Sequence, residues 1–119
     1  MKVLGIRYCA VSPDARAIAK FLGEGLGMPQ RDLGLDATAG FPGAVFPAGD
    51  SWVEVWPAGP GMPALTMLQV VVDDADAWAS QARANGLNPQ GPTDAHGERI
   101  YSLEGPGGFQ ITFQSSLPE

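Results

Sequence analysis

The sequence predicts an α+β fold built from two tandem βαβββ modules. Three observations predict it. A strand followed by a capped helix occurs twice, with Asp14 and Asp74 at equivalent points about half a chain length apart. Segments beside each helix alternate apolar and polar residues with the period of a strand. Glycine-rich turns then join the later strands in pairs. The 119 residues suit a single domain. Module one covers about 1–57, a linker "PAGPGMPA" about 57–64, and module two about 65–117.

The first strand lies in "GIRYCAV", where Ile6, Tyr8 and Ala10 alternate with Arg7, Cys9 and Val11. Ser12 is a suitable N-cap, with Pro13 at the first helical position and Asp14 in the first turn. Ala15, Ile18, Ala19, Leu22 and Leu26 form a stripe at helical spacing, and Gly23, Gly25 and Gly27 weaken and end the helix. One poorly marked strand is expected between Pro29 and Gly40. "GAVFPAG" and "SWVEVWPA" follow, joined at Gly49-Asp50. In the second half, "TMLQVVV" sets Leu68, Val70 and Val72 against Met67, Gln69 and Val71. Asp73 or Asp74 caps a helix that turns Trp78 and Ala82 inward and stops at Asn85-Gly86. "ERIYSLEG" and "GFQITFQ" close the module around Gly105-Pro106-Gly107-Gly108, with Phe109, Ile111 and Phe113 alternating with Gln110, Thr112 and Gln114. One face of each strand is apolar and is expected on the helices; the other is mixed.

Composition narrows the function. The formal net charge is -6 and the pI about 4.5, which repels nucleic-acid phosphates and mildly favours cationic small molecules. No run is long and apolar enough to span a bilayer, so no membrane partner is expected. "MKVLGIRYCAV" carries Arg7 inside its apolar stretch and reads as a strand, not a leader. The lone Cys9 has no internal disulfide partner, which points to the cytoplasm. No phosphate loop, dinucleotide glycine motif or Ser-His-Asp pattern is present.

"SWVEVWP" is the unusual strand. Val53 and Val55 form one face; Trp52, Glu54 and Trp56 form the other. Two indoles flanking an acid exceed what simple packing requires.

The whole pattern resembles the vicinal oxygen chelate superfamily, which includes glyoxalase I, bleomycin-resistance proteins and extradiol dioxygenases. The most specific match is "EGPGGFQITF", similar to the family's Asp-Pro-x-Gly-Asn-x-x-Glu-Leu ending; "VVVDDADAWASQARANGL" is similar to its second strand–helix unit. The resemblance implies curved mixed sheets around a cavity, with helices outside and the Trp52–Glu54–Trp56 face turned inward. It also implies a homodimer. Metal-dependent relatives place His or Glu at four strand positions, which here carry Arg7, Glu54, Met67 and Thr112. Only Glu54 suits a divalent ion, and His96 is the one histidine. Neither a metal site nor another cofactor is therefore expected.

Each candidate has two readings. Glu54 is a general base desolvated by aromatics, or it pairs with Arg7 across the sheet. Trp52 and Trp56 stack on a planar or cationic ligand, or they fill space. Cys9 is a nucleophile beside Arg7, or a buried inert thiol. His96 is an acid or base at the cavity mouth, or a plain loop residue. Met67, Gln69, Gln110, Thr112 and Gln114 belong to the same mixed faces, the glutamines and threonine supplying neutral hydrogen bonds. The leading expectation is a metal-free small-molecule binder of the glyoxalase/bleomycin-resistance type, sequestering an aromatic or cationic compound. The alternative is a glyoxalase-like lyase or isomerase using Glu54 as base.

Overall fold

A computed structural model describes residues 1–34 and 40–118. It is a mixed α+β chain whose described residues form seven strands and two α-helices and divide into two compact units. One unit runs from Arg7 to Thr66; the other joins Met1–Ile6 to Met67–Glu119. The first residues, part of module one by sequence, thus belong with the second half. Lys2 explains why: its N–H donates to Asp73 Oδ1 at 3.0 Å, and its carbonyl accepts from Asp73 N–H at 3.2 Å.

In the Arg7–Thr66 unit the strand order is β2-β3-β1. Strand β1 (Val3–Ser12) runs parallel to β3 (Ser51–Pro57), and β2 (Ala44–Ala48) runs antiparallel to β3. Helix α1 (Ala15–Lys20) buries Ala15 and Ala19 against Ala44, Phe46 and Val55, with Ile18, Leu22 and Val53 packed around them. The stripe expected from helical spacing is present as far as Leu22. Leu26 is not part of it and is 62% exposed. A π-helical turn over Phe21–Gly25 re-phases the chain, closed by Leu26 N–H on the Phe21 carbonyl at 2.9 Å. Gly23 lets that turn approach the sheet, since a Cβ there would meet the Phe46 ring at 3.3 Å.

The helix start also differs from expectation. Asp14 is the N-cap residue, and Ser12 instead accepts the Asp14 N–H at 3.0 Å in a local turn. On β1 the apolar face is only partly covered: Ile6 and Tyr8 are 44% and 48% exposed, and Ala10 alone is buried. The strand expected between Pro29 and Gly40 is absent from the described part of that stretch; residues 35–39 lie outside the described residues.

In the other unit the order is β4-β7-β6-β5. Strand β4 (Leu65–Val72) pairs parallel with β7 (Gln110–Ser116), which pairs antiparallel with β6 (Glu98–Glu104), and β5 (Gln90–Ala95) completes the row. Helix α2 (Ala75–Ala84) has two N-terminal anchors. Asp74 accepts the Ala77 N–H at 3.2 Å, and buried Ser115 accepts the Ala75 N–H at 2.9 Å. Its C-terminus closes at Asn85-Gly86, where Gly86 takes φ 86°. The core is Val72, Ala75, Ala79, Tyr101 and Phe113, with Trp78 against it and the Tyr101 and Phe113 rings stacked at 5.4 Å. Phe109, expected at the start of the last strand, precedes β7 and is 53% exposed.

A charged network docks α2 on β6. Asp76 accepts from the Tyr101 hydroxyl and from Arg99 Nη1 at 2.9 Å, while Arg99 Nε reaches Asp94 at 3.0 Å. The Tyr101 hydroxyl and the Arg99 guanidinium hold the Asp76 carboxyl below the usual carboxylate range. An acid shifted down stabilises the fold above its unfolded value of about 3.9 and loses that contribution as pH falls through its folded value. Asp76 should therefore contribute to a fall in stability below about pH 4, and Asp76→Asn should shrink that contribution while lowering stability at neutral pH. Thermal melts across pH check this; identical acid limbs would count against it.

Candidate functional site

Register places the candidates of the first unit on one sheet face. Arg7, Cys9 and Val11 of β1 lie beside Trp52, Glu54 and Trp56 of β3, and Pro47 and Val45 of β2 lie beside Trp52 and Glu54. The opposite face, with Val53, Val55, Ala44 and Phe46, is the one that meets α1. Alternation along β3 alone separates these two faces.

Glu54 sits half-buried between the indoles, which turn their N–H groups toward it. Trp52 Nε1 donates to Oε2 at 2.7 Å and Trp56 Nε1 donates to Oε1 at 2.9 Å. Residues two apart on a strand lie on one face at a separation an indole spans, so this clasp is local to "WVEVW". Arg7 reaches the same face from the neighbouring strand β1. Both carboxylate oxygens receive indole N–H groups, and the Arg7 guanidinium lies 4.0 Å from the Trp52 ring centroid. A second guanidinium, Arg31, lies 5.1 Å from the same centroid. Sequence reasoning missed Arg31, which stands in an unpatterned stretch. It also missed Gly43, which has φ 115° and lies so close to Trp56 that a Cβ would fall 2.2 Å from the ring.

Cys9 is buried beside Glu54. Burial, and then the Glu54 charge, push its thiol up to about 11. That weighs against the nucleophile reading, because a raised thiol pKa makes the thiolate scarce near neutrality. Its reaction with a disulfide reagent at pH 7 should be at least about tenfold slower than that of an ordinary thiol with pKa near 8.5, and denaturation should restore the rate. Reaction at the denatured rate in the folded state would contradict this.

The candidates of the other unit also share a face. Gln69 lies beside Thr112, and Thr112 beside Ser102. They bond chiefly to one another: Thr112 Oγ1 donates to Gln114 Oε1 at 2.7 Å, and Gln114 Nε2 donates to Glu98 Oε1 at 3.2 Å. Gln69 Nε2 approaches Met67 Sδ at 3.9 Å, and Gln110 Nε2 donates to the Gly108 carbonyl at 3.3 Å. Thr112 and Gln114 are buried. Glu98 is a second acid on this face that the sequence reading passed over, because "GERIY" looks like an ordinary strand start. His96 is exposed in the two-residue turn between β5 and β6, with φ 53°, followed by Gly97 at φ 76°. Both residues take the left-handed conformation that such hairpins demand.

A family model, the Glyoxalase/Bleomycin resistance protein/Dioxygenase superfamily, matches residues 5–113. The chain belongs to this superfamily. Its fold is similar to that of methylmalonyl-CoA epimerase from Mycobacterium tuberculosis, with TM-score 0.65, 18% identity, and coverage of 98% of this chain and 88% of that one. It is also similar to a superfamily member from Vibrio splendidus 12B01, with TM-score 0.64, 10% identity, and coverage of 94% and 97%. A third similar structure is described as an NAD-dependent benzaldehyde dehydrogenase from Legionella pneumophila, with TM-score 0.69, 11% identity, and coverage of 94% and 99%. At these identities the likeness concerns the fold. No curated protein matches the sequence. No described helix is long and apolar enough to cross a membrane.

The superfamily's metal chemistry is a poor fit to these side chains. Arg7 is a cation, and of the four positions only Glu54 offers a carboxylate. Met67 offers a thioether, and Thr112 a neutral hydroxyl that donates to Gln114 Oε1, both weak ligands for a hard divalent ion. Among the described residues, no three of His, Cys, Asp and Glu gather as a metal site would require.

Proposed function

We propose that this chain is a small-molecule-binding protein of the glyoxalase/bleomycin-resistance type with a degenerate metal site, and that it binds through the Trp52–Glu54–Trp56 face. The observation that carries this is the double indole clasp on Glu54. It fixes a half-buried carboxylate in one orientation. A carboxylate has about four acceptor positions, so two remain for a ligand donor. The ligand is an aromatic compound. A cationic one would compete with Arg7 and Arg31, whose guanidinium groups already lie within cation–π range of Trp52. A homodimer belongs to this reading, as it does for many two-layer folds of this size.

The enzyme alternative draws on the same oriented carboxylate, with Glu54 taking a substrate proton. Fold likeness does not choose between the two. Turnover with α-hydroxy-thioester or 2-oxo-acid derivatives, abolished in Glu54→Ala, would favour the enzyme. For the binder, planar aromatic compounds should quench tryptophan fluorescence saturably, and Trp56→Ala should weaken binding roughly tenfold. Absence of quenching by any aromatic class would sink the binding reading.

A further inference from the structure

Arg31 belongs to two environments at once. Its charge lies 5.1 Å from the Trp52 ring centroid, within cation–π range. The same residue also lines a groove of about 240 Å³ with Gln30, Asp32, Leu33, Phe41, Pro42 and Gly43. Its backbone is fixed, because the Arg31 N–H donates to the Val45 carbonyl at 2.8 Å.

We infer that this groove takes the carboxylate group of a small aromatic acid, received by Arg31. The inference rests on the binding reading above and names its ligand class. A guanidinium held near a ring by cation–π attraction still carries planar N–H donors that can fork onto a carboxylate. Restraint by the indole and the backbone bond lowers the ordering cost of that fork. Leu33, Phe41 and Pro42 supply apolar wall for a ring, and the Gln30 amide adds a donor. The opposing charge on the rim, Asp32, already accepts the Gly34 N–H at 2.8 Å in its own turn. A groove of this volume suits a single-ring acid better than a drug-sized ligand.

Calorimetric titrations with benzoate, benzamide and benzylamine test the inference. Benzoate should bind the wild type best and lose affinity as salt rises. Arg31→Gln should weaken benzoate roughly 10- to 100-fold, the effect of a lost charge-assisted fork, and leave benzamide within about twofold. Arg31→Lys should recover only part of the loss, because a point charge does not make the fork. Circular dichroism confirms that the variants fold. If benzamide binds as well as benzoate, or Arg31→Gln leaves benzoate unchanged, the inference fails while the binding reading survives. If benzylamine binds best, the groove serves cations through Asp32 and the inference is overturned. If none of the three binds, this inference fails, and the fluorescence experiment decides the wider reading.

Discussion

Gly43→Ala is expected to destabilise the protein by about 2–4 kcal/mol. Two effects combine. The residue sits at φ 115°, a conformation that side-chain-bearing residues rarely adopt. Its new Cβ would also fall 2.2 Å from Trp56 Cε3 and 2.3 Å from Cζ3. Neither can be relieved cheaply. Residue 43 is anchored at the start of β2, and Trp56 is held by its N–H bond to Glu54. The loss should appear in chemical denaturation. A double-mutant cycle separates the two contributions, because Trp56→Ala removes the clash and leaves the backbone strain. Gly43→Ala should then cost less in the Trp56→Ala background. Equal cost in both backgrounds would mean that the Trp56 ring does not lie against residue 43.

Glu54→Gln is not a silent isostere here and should cost about 2–4 kcal/mol. A carboxylate accepts from both indoles. An amide has one carbonyl and one NH₂, so it accepts from one indole and turns a donor toward the other. One charge-assisted bond becomes neutral, and the second becomes a donor–donor contact. Trp52→Phe should therefore restore part of the stability lost in Glu54→Gln, because it removes the opposing N–H. Additive losses in that pair would contradict the clasp. The effect also bears on the choice of reading: loss of turnover or binding in Glu54→Gln has to be corrected for displaced indoles, whereas Glu54→Ala leaves room for them to relax.

Much of this was legible in the sequence, for identifiable reasons. Period-two alternation separated Val53 and Val55 from Trp52, Glu54 and Trp56, because that division depends on the strand alone. A cap at Asp73 or Asp74, which the helix places on Asp74, and the stop at Asn85-Gly86 were likewise local signals. Failures came where tertiary geometry overrode local pattern. Leu26 continued a helical stripe on paper, yet the π turn rotated it outward. Ser12 had cap chemistry but used it one step early, on the Asp14 N–H. The two indole bonds to Glu54 were missed because a side-chain contact between residues two apart on a strand leaves no mark in the apolar–polar pattern. Arg31 was invisible because its role depends on where an irregular segment returns to Trp52.

The central claim is that the Trp52–Glu54–Trp56 face is a binding surface whose carboxylate is fixed by two indoles. Nuclear magnetic resonance of the indole N–H groups tests it most directly. The protein has three tryptophans, so three such signals are expected, assignable by single Trp→Phe variants. The account predicts that the Trp52 and Trp56 signals are shifted downfield by the carboxylate and lose that shift in Glu54→Ala. Both should also move saturably as an aromatic ligand is added, while the Trp78 signal stays in place. Indole signals for Trp52 and Trp56 that ignore both the Glu54 substitution and every aromatic ligand would contradict it.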